Sequence, residues 1–83
     1  MSALNLEIIS AKGVIFKGQC HMAVVPSVDG ELGIMQGHES IMAKLREGQV
    51  VIYDTTQNIV KQFDVLSGYA EMADADKLIV LLD

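Results

Sequence analysis

The sequence has few of the features that mark disulfide-bonded, secreted or membrane-spanning proteins. It contains a single cysteine, Cys20, so no internal disulfide can form. Its uncharged apolar runs, such as LIVLL at residues 78–82, are far shorter than the ~20 residues of a membrane-spanning helix. The first ten residues lack the basic segment, apolar stretch and small-residue cleavage site of a secretory signal. Together these features predict a protein of a reducing compartment such as the cytoplasm.

Basic residues are also scarce. Six Lys and Arg residues are scattered singly along the chain, against eleven Asp and Glu residues, which gives a formal net charge of −5. A protein that binds the phosphate backbone of a nucleic acid presents a clustered basic face. We therefore expect no nucleic-acid partner.

Apolar residues, by contrast, are abundant for so short a chain. They make up 51% of 83 residues, and a chain of this length forms a single domain, residues 1–83. A domain of this size buries only about 60% of the surface that its unfolded chain exposes. We therefore expect the surplus apolar side chains to form a contiguous patch on one sheet, which a partner covers.

Short strand-like segments alternate with turn signals along the chain. Leu4, Leu6 and Ile8 alternate with Asn5 and Glu7, which is the pattern of a strand with one buried face. Further segments rich in β-branched and aromatic residues lie at residues 14–16, 22–25, 49–53, 59–66 and 77–82. Turn signals lie at residues 11–13, 28–30, 46–48, 54–58, 67–68 and 74–76. Such regularly spaced short strands predict a β-sandwich or barrel.

One segment has a helical pattern instead. Residues 38–48 place apolar side chains at Ile41, Met42 and Leu45, with Ser40 as a candidate N-cap and a glycine as the stop signal. The local pattern alone leaves helix and strand open for this segment.

The glycine-rich segment 29–39 has several possible functions. None of its glycines is followed by the lysine of a phosphate-binding loop, and its acidic residues are too few for a calcium loop. We expect Gly30 to take a positive φ in a turn, and Gly33 and Gly37 to permit close approach of the backbone. A tight loop that displays Glu31 among apolar side chains indicates a recognition surface.

The candidate metal and catalytic residues form no known motif. Cys20, His21 and His38 are the available zinc donors, but the paired CxxC or HxxxH spacing of a zinc site is missing, and neighbours in a strand point to opposite faces. A triad of His38, Ser40 and an aspartate would lack a nucleophile elbow. We expect a buried Cys20 thiol beside a surface histidine, and no metal, cofactor or catalytic site.

Residues 29–52, DGELGIMQGHESIMAKLREGQVVI, resemble the signature region of the epsilon subunit of F-type ATP synthases, in which a Gly-Glu-Leu-Gly-Ile turn is followed by Gly-His. The resemblance extends to residues 6–18, 66–72 and 77–83. The chain departs from the family pattern at Gln36, where proline is usual, and at residues 39–40, where Ala-Pro is usual.

The resemblance implies an all-β fold, a two-sheet β-sandwich of about ten short strands, and therefore strand rather than helix for residues 40–46. It also implies a non-catalytic subunit of the central stalk, or rotor, which couples proton flow to ATP synthesis without a cofactor of its own. The expected partners are the gamma subunit and the c-ring. The expected location is the cytoplasmic face of a bacterial inner membrane, peripheral to the bilayer.

The resemblance also assigns roles to particular residues. The loop that faces the c-ring would consist of Gly30, Glu31, Leu32 and Gly33, and the residues that face gamma would include Ser10, His38 and Met42. The chain ends at Asp83, where the family's sandwich ends, so the helical hairpin that usually follows is expected to be missing from it.

Two alternatives from other classes stay open at this point. One is a small β-sandwich binding module that recognises a peptide or a small ligand. The other is an enzyme that uses His38 together with an acid. Capture of gamma would favour the rotor, whereas a pocket around a perturbed histidine would favour the enzyme.

Overall fold

The computed structural model describes residues 3–83 as nine β-strands joined by short turns. In chain order they are β1 (Leu4–Ser10), β2 (Gly13–Cys20), β3 (Met22–Ser27), β4 (Gly30–Met35), β5 (Met42–Leu45), β6 (Gly48–Tyr53), β7 (Ile59–Val65), β8 (Gly68–Asp74) and β9 (Lys77–Leu82). The all-β fold predicted from the sequence is confirmed.

The strands form two sheets that share one corner. Sheet I has the order β2-β1-β9-β8-β5, and sheet II has the order β4-β3-β6-β7. Neighbouring strands are antiparallel except β1 and β9, which run parallel. The sheets join where Ser27 of β3 pairs with Leu45 of β5. At the far edges, the rings of Phe16 and Phe63 meet edge to face with their centroids 5.8 Å apart, so the sandwich curls around its core.

Alternating side chains of both sheets fill the space between them. Leu4, Leu6 and Ile8 are 0–1% exposed, as their alternation with polar residues predicts. Leu78 and Val80 lie beside them on the neighbouring strand and are 0% exposed. Each such side chain contributes about 1.5–3 kcal/mol by leaving water. Since no buried side-chain nitrogen or oxygen in residues 3–83 lacks a hydrogen-bond partner, the core carries no polar penalty from these side chains.

The segment with the helical pattern forms a strand. Residues 42–45 pair with β8 in the register Met42 to Glu71 and Leu45 to Gly68. Leu45 is buried, whereas Met42 is exposed, so the apolar residues lie on opposite faces instead of one helical stripe. The strand predicted from the family resemblance is therefore confirmed for this part of the segment.

The interpretation of the glycine-rich segment as a tight loop is wrong for most of its length. Residues 30–35 form β4, which pairs with β3 along its whole length. Gly33 lies within the strand, where an added Cβ would meet the sulfur of the Met22 side chain at 3.4 Å and no backbone atom within 4 Å, so the predicted close approach of the backbone is not found there. Gly37 instead takes φ +88° with open space around it, so its role is conformational.

The Cys20 thiol is buried at 8% exposure, as predicted, and burial raises its pKa. A raised pKa leaves less thiolate, and the thiolate is the species that reacts with alkylating agents. We therefore expect iodoacetamide at pH 8 to modify the native thiol at least about tenfold more slowly than the thiol of the same chain in concentrated urea. Mass spectrometry of quenched samples measures both rates, and equal rates would contradict the burial.

Candidate protein-docking site

The turn between β3 and β4 presents Glu31 at the surface. Gly30 takes φ +124°, a conformation that other residues rarely adopt, and this confirms the predicted turn. The buried Ser27 hydroxyl donates to the Gly30 carbonyl at 2.7 Å and accepts from the Asp29 amide at 3.2 Å. The turn is therefore fixed from the inside by one side chain.

The four residues predicted to face the c-ring do not share one environment. Glu31 is exposed, and the single ion pair within residues 3–83, between Lys77 and Glu7, does not involve it. Leu32 instead packs against the core, and Gly33 lies under the side chain of Met22. Glu31, presented by Gly30, is thus the side chain of this group that can meet a partner.

The outer face of sheet I carries an apolar cluster, which we call the Leu81 face. Its central row joins Ile9, Leu81 and Tyr69 as direct cross-strand neighbours, and Met42 and Ile79 lie in the adjacent row. Met42 is 67% exposed, and Tyr69 and Leu81 are each 47% exposed. Glu71 lies between Met42 and Ile79 in that adjacent row, and further polar side chains border the cluster on the same face, namely Glu7, Lys17, Lys44 and Lys77. An apolar centre with a polar rim is the usual anatomy of a protein–protein interface.

The outer face of sheet II is also apolar, and we call it the Met35 face. Met35, Met22, Tyr53 and Ile59 pair in one row across all four strands. Met35 is 43% exposed and Ile59 is 51% exposed. The apolar surplus thus covers two sheet faces, and the expectation of a patch on one sheet alone is too narrow.

The three residues predicted to face gamma frame the Leu81 face. Ser10 follows Ile9 at the β1–β2 turn, where its hydroxyl accepts from the Lys12 amide at 3.2 Å. His38 lies at the opposite end, because Gly37 beside it donates to the Ala75 carbonyl in the β8–β9 turn at 2.6 Å. Met42 lies within the face itself. Since β9 spans roughly 20 Å between the two ends, the three residues are spread over an extended surface.

Within residues 3–83, the hydrogen-bond contact of the His38 ring is with a backbone carbonyl. Its Nδ1 lies 2.8 Å from the Glu39 carbonyl oxygen, a backbone contact to its own neighbour. No group of three or more His, Cys, Asp or Glu side chains within residues 3–83 could hold a metal ion. The His38 ring thus contacts the backbone of its own neighbour at one end of the Leu81 face.

Two neighbouring carboxyls, Asp74 at the end of β8 and Asp76 in the β8–β9 turn, lie next to His38. A hydrogen bond from Asp76 lowers the pKa of Asp74. The hydrogen bond with Asp74 and the negative charge of that carboxylate raise the pKa of Asp76. Both side chains are fully exposed. On acidification Asp76 takes up a proton first, which reduces the negative charge at this end of the sandwich.

Comparison with known proteins identifies the family. Residues 3–83 match the family model described as ATP synthase, Delta/Epsilon chain, beta-sandwich domain. The chain belongs to this family. The ATP synthase epsilon chain of Campylobacter fetus is 35% identical over 86 aligned residues, which cover 100% of this chain and 63% of that protein. The epsilon chain of Alkalilimnicola ehrlichii is 35% identical over 83 residues, which cover 100% and 58%.

Solved structures of ATP synthases share the delta/epsilon sandwich fold. One chain of the Euglena gracilis mitochondrial ATP synthase, in an assembly of OSCP, F1 and c-ring, superposes with a TM-score of 0.87 at 17% identity, covering 99% of this chain and 51% of that one. A chain of the Tetrahymena thermophila central stalk and c-ring superposes with a TM-score of 0.79 at 11% identity, covering 95% and 62%. The chain thus spans about three fifths of the length of the curated epsilon chains named above.

The exposed centre of the Leu81 face was not predicted from the sequence. Tyr69 and Leu81 were not singled out, although each alternates with buried neighbours on its strand. Residues 78–82 are all apolar, so no polar–apolar alternation in the sequence marks Leu81 as outward-facing; its exposure follows from the burial pattern of β9 in the structure. The pairing of β8 with β9 is what joins Tyr69 to Leu81.

Proposed function

We propose that this chain is the β-sandwich part of an ATP synthase epsilon subunit and acts as a non-catalytic component of the central stalk. In this proposal the Leu81 face docks on the gamma subunit, and the turn that carries Glu31 meets the polar loops of the c-ring. The domain would then transmit rotation between the c-ring and gamma and would couple proton flow to ATP synthesis.

The single observation that carries the proposal is the Leu81 face. Met42, Tyr69 and Leu81 are about half exposed or more, and they lie together on one rigid sheet of a chain that belongs to the delta/epsilon family. Leaving such a cluster in water is unfavourable, and a partner with a complementary apolar surface would remove it. Ser10 and His38, which the family resemblance assigns to gamma, lie at the two ends of this face.

The proposed location is peripheral, at the cytoplasmic face of a bacterial inner membrane. None of the elements in the described range, residues 3–83, is a helix that could cross a membrane. Contact with the bilayer would therefore be made through the c-ring, at the end of the sandwich where the β3–β4 turn lies.

Affinity capture tests the proposal. The tagged chain is incubated with solubilised membranes that contain the ATP synthase, and with matched membranes from a strain that lacks gamma. We expect recovery of ATP synthase subunits from the first sample and their loss from the second. Recovery without gamma, or recovery of an unrelated protein in both samples, would contradict the proposal and would favour the alternative binding module.

Glu31→Lys is expected to reduce ATP synthesis driven by proton flow in reconstituted vesicles without unfolding the domain. The family resemblance implies basic side chains on the c-ring loops, so the change would replace an attraction by a repulsion. A contact between exposed charges contributes only about 0–1 kcal/mol, so the loss is expected to be partial and larger at low salt. ATP synthesis is measured at two salt concentrations, with Glu39→Lys as the control for the change in charge. An unchanged rate at low salt would contradict the c-ring contact.

A further inference from the structure

Three hydrogen bonds link the end of β3 and the turn after it to the end of β5 and the turn after it, around the pairing of Ser27 with Leu45. Two of them join backbone atoms: the Arg46 amide donates to the Pro26 carbonyl at 2.8 Å, and the Val28 amide donates to the Lys44 carbonyl at 2.9 Å. The third comes from a side chain, because Nε of Arg46 donates to the Ser27 carbonyl at 3.0 Å. The two turns therefore form one connected end of the sandwich.

Ser27 is the residue on which these contacts converge. It is 6% exposed and is the buried polar residue of the described core. Its hydroxyl fixes Gly30 and Asp29 from the inside, while Arg46 binds its carbonyl from the β5–β6 turn. A hydrogen bond from a guanidinium is charge-assisted and directional, so it orients the peptide that leads into the turn.

Pro26, the strand partner of Glu31, also packs against the chain segment that follows Arg46. Glu31 pairs with Pro26, and an added Cβ at Gly48 would lie only 2.8 Å from the Pro26 Cβ. The start of β6 therefore packs directly against the residue opposite Glu31. Arg46 in the β5–β6 turn and Gly48 at the start of β6 therefore both contact β3 just before the β3–β4 turn begins.

We propose that Arg46 is a positioning residue for c-ring docking: its Nε holds the Ser27 carbonyl and thereby orients the turn that presents Glu31 to a basic loop. This inference rests on the proposed function, because the basic loop is taken to belong to the c-ring. Arg46 acts through the turn and not through its charge. The β5–β6 turn, through Arg46, thus supports the end of the sandwich at which Glu31 is exposed.

The test is a double-mutant cycle on the affinity of the gamma complex of this chain for the detergent-solubilised c-ring. Arg46→Lys keeps the positive charge but removes the planar Nε donor. We expect Arg46→Lys to weaken c-ring binding about two- to fivefold. Its effect should not exceed that of Glu31→Gln, because Arg46 acts on binding by orienting the exposed Glu31 contact. In the Glu31→Gln background, Arg46→Lys is expected to have no further effect, since coupled residues are not additive.

A separate variant, Lys12→Gln, shows how a change of surface charge away from the β3–β4 turn affects c-ring binding. It removes a positive charge from the β1–β2 turn, and Lys12 makes no side-chain hydrogen bond among the described residues. We expect it to leave c-ring binding unchanged or slightly stronger. Affinity for gamma and the urea midpoint are expected to be unchanged in the Arg46→Lys variant, which separates positioning of the turn from a general loss of structure.

The outcomes separate the two proposals. If Glu31→Gln has no effect on c-ring binding, the proposed c-ring contact is wrong. If Glu31→Gln weakens binding but Arg46→Lys does not, or if the two effects add, Arg46 does not position this turn.

Discussion

Leu81→Asp is expected to weaken binding of this chain to gamma by about 30-fold or more. Leu81 lies in the central row of the Leu81 face, between Ile9 and Tyr69. Removal of a central apolar side chain from an interface commonly reduces the binding free energy by about 2 kcal/mol or more. An unpaired carboxylate buried in its place adds a desolvation penalty. Calorimetric titration of purified gamma with the wild-type and variant chains measures the change.

Met35→Asp is the matched control for this variant. Met35 is 43% exposed against 47% for Leu81, and both residues point outward from a strand, but Met35 lies on the opposite face of the sandwich. We expect Met35→Asp to change gamma affinity by less than about threefold, because a substitution outside the interface contributes little. If Met35→Asp weakens binding as much as Leu81→Asp or more, gamma docks on sheet II and the assignment of the face is wrong.

Gly68→Ala is expected to lower the free energy of unfolding by about 3 kcal/mol or more. The total free energy of unfolding of a domain is roughly 5–15 kcal/mol, so this loss is a large part of it. Gly68 takes φ +152°, and an added Cβ would lie 2.0 Å from the Leu81 carbonyl oxygen of the neighbouring strand. Backbone atoms of a paired strand cannot move away without breaking the ladder between β8 and β9. Urea unfolding followed by circular dichroism measures the loss.

Gly18→Ala is the control for the effect of adding a methyl group. Gly18 also lies in a strand of sheet I, but an added Cβ would meet the Phe16 ring at 3.5 Å, which is ordinary van der Waals contact. We expect its stability to change by less than about 1 kcal/mol. Equal urea midpoints for Gly68→Ala and wild type would show that β8 and β9 are spaced differently from this structure.

The strand alternation and the turn signals were predictable from sequence because both are local. The pattern of residues 4–8 gave the buried face of β1, and the predicted turns lie between strands of the structure. β4 was not predictable in the same way, because its glycines have low strand propensity. Residues 30–35 become a strand because β3 pairs along their whole length, and the packing of Met22 over Gly33 replaces a missing side chain.

The docking site was predictable only in part. Glu31 follows from the glycine turn and the family resemblance, and its exposure agrees with that prediction. The Leu81 face depends on the pairing of β1 with β9, which are more than sixty residues apart in the chain, and no local pattern specifies that register. Arg46 was missed for the same reason, since its hydrogen-bond partner lies 19 residues away.

The most direct measurement of the central claim is a cryo-electron microscopy reconstruction of the ATP synthase rotor assembled with this chain. The account predicts that gamma covers Met42, Tyr69 and Leu81 on sheet I, and that the β3–β4 turn points Glu31 at the c-ring loops. Density for gamma on the Met35 face with the Leu81 face left in solvent would contradict it, as would a rotor in which the Glu31 turn lies away from the c-ring.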